Sequence, residues 1–216
     1  MRLLLIIAAT ITGLLACENN YPGSRETLSL PRAEGIVVDG EFDDWNHQGI
    51  QIPLCANTWG EVDAESFFAD VSLAWDDDFL YFKATVQDDS LFQDKTAPIW
   101  KNDGLELFLS AKKGSNQMIQ YLVAPAITSE FPIEKIEKSD YRQDKDEGVE
   151  KQFMLESRVS ESGYHVEAQI PFGSVGINPE AGDTIAFNFY IGDSDGSTQF
   201  RKYSWHYNDT TYLNHD

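Results

Sequence analysis

The side chains most able to do chemistry here are aromatic rings set beside short polar groups. The 216-residue chain holds 5 Trp, 9 Tyr and 13 Phe. Trp59, Trp100, Trp205, Tyr207 and Tyr212 fall in or beside segments that read as loops. A sugar ring offers C–H patches that stack on a flat aromatic face, and hydroxyls that need amide, carboxylate or cationic partners. Ile99-Trp100-Lys101-Asn102-Asp103 combines both kinds of group within five residues. The same pattern reads equally well as a core ring at the start of a strand, so Trp100 has two readings at this level. Trp45 and Trp75 sit inside apolar alternations and are expected in the core.

Other chemistries find less support. The chain has no Gly-x-Ser-x-Gly, no His-Glu-x-x-His and no phosphate-cradling glycine loop. His47, His165, His206 and His215 form no pair at metal-ligand spacing. Carboxylates number 36, and nothing marks two of them as the acid pair of a glycoside hydrolase. Met118 and Met154 with His165 or His206 could ligate a haem, which would make the domain an electron carrier. Asp88, Asp89 and Asp94, with Asp103, offer hard oxygens suited to calcium. Asp193, Asp195 and Gly196 resemble half of a calcium loop without its closing Glu. Solvated acidic turns explain each of these groups as well. No cofactor is required. The net charge of −20 repels nucleic acid and anionic lipid, so nucleic acid is excluded as a partner.

These residues must be positioned by strands. Val71, Leu73 and Trp75 alternate with polar neighbours, then Asp76-Asp77-Asp78 turns the chain into Leu80, Phe82, Ala84 and Val86. That pattern predicts a hairpin. Leu105, Leu107 and Leu109 predict a strand that returns through Lys113-Gly114-Ser115-Asn116 to Ile119, Tyr121 and Val123. Phe153 to Val159 and Tyr164 to Ile170 flank Glu161-Ser162-Gly163, and Ile185 to Ile191 form a last apolar strand. Residues 126–150 read as a charged excursion walling a site. With no segment of helical period, the expected fold is an all-β, two-sheet antiparallel sandwich of the immunoglobulin or jelly-roll kind.

The N-terminus has a separate character. Met1-Arg2 is followed by an uncharged run from Leu3 to Leu15, the layout of an export signal. That run is shorter than the 20 or so residues that span a bilayer. Leu14-Leu15-Ala16-Cys17 resembles a bacterial lipobox. The resemblance implies cleavage before Cys17 and its acylation, hence a lipid-anchored protein at the bacterial cell envelope, on the outer membrane or the periplasmic face. The membrane is met through that lipid only. Cys55 is then left without an intrachain partner. Residues 1–16 are expected as signal peptide, 17–34 as flexible tether and 35–216 as the folded domain.

Five segments, in order, resemble family 9 carbohydrate-binding modules. Val38-Asp39-Gly40-Glu41-Phe42-Asp43-Asp44-Trp45 is similar to the family's D-G-x-x-D-x-x-W opening. Leu73-Ala74-Trp75-Asp76 through Leu80-Tyr81-Phe82 resembles its W-D-x-x-x-L-Y hairpin, and Trp100-Lys101-Asn102-Asp103-Gly104-Leu105-Glu106-Leu107-Phe108 its W-x-x-D-x-x-E-x-F segment. Gly163-Tyr164-His165-Val166-Glu167 through Ile170 and Gly182-Asp183 through Phe187-Asn188 resemble two later strands. The resemblance implies a sandwich that grips a plant-type poly- or oligosaccharide between rings without catalysis, with structural calcium in some members. It implies Trp100 as a stacking ring, Glu106 as a hydroxyl acceptor, Tyr190 as a polar contact and Tyr212 as the second ring; Asp103, in the same short segment as Trp100, is expected on that sugar face from its polar character. Two departures stand out. Leu122 occupies the position of a sugar-binding Arg, and the family's closing G-x-L-x-L strand does not appear before Asp216. An accessory role beside a glycoside hydrolase, an enzyme proper, or a purely structural envelope role are the other readings.

Overall fold

The computed structural model describes residues 27–52, 56–59, 67–112, 118–132, 135–140, 153–196 and 200–205; 56–59 and 135–140 enter through their strand pairing alone. Eleven strands follow in chain order: β1 (Ile50–Ile52), β2 (Ala56–Trp59), β3 (Phe67–Trp75), β4 (Phe79–Asp88), β5 (Gly104–Ser110), β6 (Met118–Ala124), β7 (Lys135–Asp140), β8 (Met154–Ser160), β9 (Gly163–Pro171), β10 (Ala186–Ser194) and β11 (Phe200–Ser204). They form two sheets, β1-β3-β4-β9-β8 and β2-β11-β10-β5-β6-β7, and every strand pair within them is antiparallel. The expected sandwich is what the chain forms. No helix among the described residues is long and apolar enough to cross a membrane.

Period-two alternation explains the layering, because successive side chains of a strand point to opposite faces. Val71, Leu73, Leu80, Phe82, Val166 and Ile170 of the first sheet meet Leu105, Leu107, Leu109, Ile119, Val123, Phe189 and Ile191 of the second in one buried core. The hairpins expected around Asp76–Asp78 and Glu161–Gly163 are those of β3–β4 and β8–β9. The turn expected at Lys113–Asn116 lies outside the described residues.

Two expectations change. The polar composition of 17–34 predicts a tether, yet from Leu28 the segment docks on the sandwich. Leu28 and Leu30 pack against the core, Arg32 bridges to Trp75, and the Ala33 amide donates to the Trp75 carbonyl at 2.7 Å. Isolated apolar residues in a polar stretch covered the end of β3, a tertiary contact that leaves no periodic trace. Trp205, expected as an exposed ring, is buried in the main core. Trp45, as expected, is fully buried, in a smaller cluster with Ile36, Val38, Ala74 and Tyr81 on the outer side of the first sheet.

Candidate functional site

The outer face of the second sheet carries an ordered grid of side chains. Since Leu105, Leu107 and Leu109 point to the core, Gly104, Glu106 and Phe108 must point away from it. The strand register then sets them in rows. Lys202, Gly192 and Gly104 lie side by side across β11, β10 and β5. Ser204, Tyr190, Glu106 and Leu122 form the next row, and Asn188, Phe108 and Gln120 the one after. The two glycines leave the first row bare. A small concavity opens there, lined by Ile99, Trp100, Asn102, Gly104, Glu106 and Gly192 among others. Gly104 could not be replaced by a larger residue, because a Cβ there would lie 2.3 Å from the Val123 carbonyl oxygen.

Glu106 is the centre of this patch. It is buried, and both its oxygens are engaged: Gln120 Nε2 donates to Oε2 at 2.9 Å and Lys202 Nζ donates to Oε1. Lys202 Nζ also stands 5.4 Å from the Trp100 ring centre and 5.3 Å from that of Tyr190, within cation–π reach of both. Tyr190 is buried and packs edge-on against Phe108, with ring centres 5.2 Å apart. Trp100 stands on a short 3-10 turn, Ile99–Lys101, and is the ring of this group that retains exposure. Asn102 holds that turn: its Nδ2 donates to the Pro98 carbonyl at 3.2 Å, and its Oδ1 accepts the Asp94 amide. Trp100, Glu106 and Tyr190, expected together from the sequence, are thus brought together. Lys202 and Gln120 had no place in the expected set. Gln120 looks like a surface residue of its strand and Lys202 lies beyond the last strand expected from the alternation, so only the cross-strand register brings them to Glu106.

Asp103, expected on the sugar face, belongs elsewhere. It is fully buried; Oδ2 accepts the Phe92 amide at 2.6 Å and Oδ1 the Ser194 amide at 2.7 Å. Its neighbours are acids. One oxygen each of Asp88, Asp103 and Asp193 lies within 4.8 Å of the others, and Asp88, Asp89 and Asp195 meet in the same way. Asp94 is in neither group and spends its carboxylate on Thr96. Correcting the expected trio, the acids that converge come from the end of β4, the start of β5 and the end of β10. Arg201 donates to Asp193 at 2.8 Å and to Asp195 at 3.0 Å. Burial, reinforced by Asp88, pushes the Asp103 carboxyl up to about 9. Burial likewise raises Asp88 to about 6, and raises Asp193 against the opposing pull of Arg201. Asp88 Oδ2 and the Tyr164 hydroxyl are buried without a hydrogen-bond partner. Carboxylates so placed need protons or a cation, and oxygens this close can all reach an ion at 2.3–2.6 Å. The donor set fits calcium.

The haem alternative meets geometry. Met118 lies on the outer face of the second sheet with Phe108 and Tyr190. His165 faces outward on the first sheet, stacked on Phe42. Those two therefore stand on opposite outer faces of the sandwich. Met154 is opposite Gln169, four residues along β9 from His165, or roughly 13 Å, too far for two axial ligands of one iron. His206, Tyr207, Tyr212 and His215 lie outside the described residues, as do Cys17 and Cys55; Trp59 is placed only by its pairing with Lys202. Among the described residues lining the concavity Glu106 is the one carboxylate, so they supply no pair of acids of the kind a glycoside hydrolase uses.

Comparison with known proteins places these features in a family. The family described as carbohydrate family 9 binding domain-like matches residues 38–215. Endo-1,4-beta-xylanase A of Thermotoga maritima is 28% identical over 164 residues, which is 76% of this chain. The chain spans only about 14% of that xylanase's length. Two structures of a family 9 carbohydrate-binding module from Caldicellulosiruptor kristjanssonii share the fold. The complex with cellotriose has a TM-score of 0.63 at 22% identity, covering 85% of this chain and 86% of that one. The complex with glucose has a TM-score of 0.64 at 23% identity, covering 85% and 87%.

Proposed function

Because this chain belongs to the carbohydrate family 9 binding domain-like family, we propose that it is a non-catalytic carbohydrate-binding protein whose site is the concavity beside Trp100. The observation that carries the reading is the grouping of Trp100, Glu106, Gln120, Tyr190 and Lys202 around a bare glycine row. Trp100 supplies the stacking face, and the glycines let a ring approach the backbone closely. Glu106, oriented by Gln120 and Lys202, accepts hydrogen bonds from hydroxyls. The module of similar fold that carries cellotriose and glucose supports a gluco-configured oligosaccharide. The xylanase relatives support a setting in plant polysaccharide breakdown.

The reading extends to the acid cluster and to the N-terminus. Asp88, Asp103 and Asp193 would hold a structural calcium, whose charge would favour the ionised form of these buried acids. Acylation at Cys17 would fix the domain to the cell envelope; a Cys17→Ser change should then move the protein from the membrane to the soluble fraction, and unchanged fractionation would refute the anchor. The binding reading is tested by titrating tryptophan fluorescence with cello-, xylo-, manno- and pectic oligosaccharides. Saturation with at least one of these, and loss of it in a folded Trp100→Ala variant, is the expected result. A flat response across the panel would remove carbohydrate as the ligand.

A further inference from the structure

We propose that Lys202 is itself a sugar-contacting residue, and that it and Glu106 together read two neighbouring hydroxyls of one neutral ring. This rests on the carbohydrate-binding reading and deepens it. Lys202 comes from β11, two strands away from Glu106, and its row is otherwise Gly192 and Gly104. Its ammonium therefore crosses a bare floor to reach Glu106, Trp100 and Tyr190. The ion pair is not a surface one: the two side chains retain 12% and 8% exposure. A pair so buried adds little stability, since desolvation cancels most of its attraction and apolar residues would pack as well. Its place under the one partly exposed ring of the site points to binding instead.

The chemistry of the pair selects the ligand. A carboxylate accepts a hydrogen bond and an ammonium only donates one. Two adjacent hydroxyls can meet both at once, one giving its proton to Glu106 and its neighbour's oxygen taking one from Lys202. The opposite charges cancel, and the chain as a whole carries −20, so a neutral sugar is favoured over an acidic one. Gln120 acts as a positioning residue by holding the second oxygen of Glu106.

Calorimetric titration with glucose and its monodeoxy analogues tests this. The unaltered protein should prefer glucose over at least one analogue by about tenfold or more, because a polar pair left unmatched is costly. Lys202→Met should weaken glucose binding by about tenfold and erase most of that preference, while Lys202→Arg keeps it. A purely structural lysine would lower the melting temperature and leave the preference intact. If Lys202→Met fails to fold, the neutral double variant Lys202→Met with Glu106→Gln is compared with Glu106→Gln alone, and a further loss of about tenfold on removing Lys202 is expected. Binding within about twofold of the parent, with the preference kept, would overturn the role of Lys202 and leave the carbohydrate reading standing. Absence of binding by the unaltered protein to glucose, cellotriose and the other sugars of the panel would overturn both.

Discussion

Glu167 shows how much a single residue of a motif can do without touching a ligand. It is fully buried on β9, where Oε1 accepts the Trp45 indole N–H at 2.6 Å and Oε2 accepts the amides of Asp39 and Gly40 at 3.0 Å each. The opening segment and the β9 segment, far apart in sequence, are thus one structural unit. Glu167→Ala would leave the buried Trp45 indole and Gly40 amide, and the part-buried Asp39 amide, without their acceptor, and a loss of about 3 kcal/mol is expected in denaturant unfolding. Sugar affinity of the folded fraction should be unchanged. Asp76 plays a smaller version of the same part, accepting the Asp78 and Phe79 amides and the Tyr81 hydroxyl to close the β3–β4 turn.

At the scale of elements, the sheets were far more legible than the sites. Period two is a local signal, so β3 to β6 and β8 to β10 could be read directly from their alternations. Motif residues such as Trp45, Trp75 and Glu167 were equally visible, but their work is structural: the Trp75 indole, for example, donates to the Leu30 carbonyl at 3.0 Å. Lys202, Gln120 and the meeting of Asp193 with Asp103 depend on which strands become neighbours, and no local pattern encodes that. The acid cluster joins the ends of β4 and β10 to the start of β5, and it makes stability depend on pH. An acid whose folded pKa is raised holds its proton more tightly folded than unfolded, so stability falls as pH rises between the two values. For Asp103 that window runs from the ordinary 3.8 to about 9, and for Asp88 from 3.8 to about 6. In chelator, the melting temperature should drop by at least about 3 °C between pH 5 and pH 8. Calcium should reverse the trend, because a cation favours the ionised carboxylates. A melting temperature that ignores both pH and calcium would dissociate these acids from any ion.

For the whole molecule, the division of labour is between two faces. The first sheet's outer face is closed by the N-terminal segment around Trp45, while the second sheet's outer face holds the polar patch with Trp100 at its mouth. A fold shared with other proteins does not by itself assign a ligand; under the proposed function that part falls to the side chains of the second face. The most direct test is to follow the indole and backbone amide resonances of the labelled protein while cellotriose is added. The expected outcome is saturable shifts of the Trp100 indole and of the Gly104, Glu106, Gly192 and Lys202 amides, with the Trp45 and Trp75 indoles unmoved. Unshifted resonances at saturating sugar, or shifts gathered on the first sheet around Trp45, would contradict a binding site at Trp100.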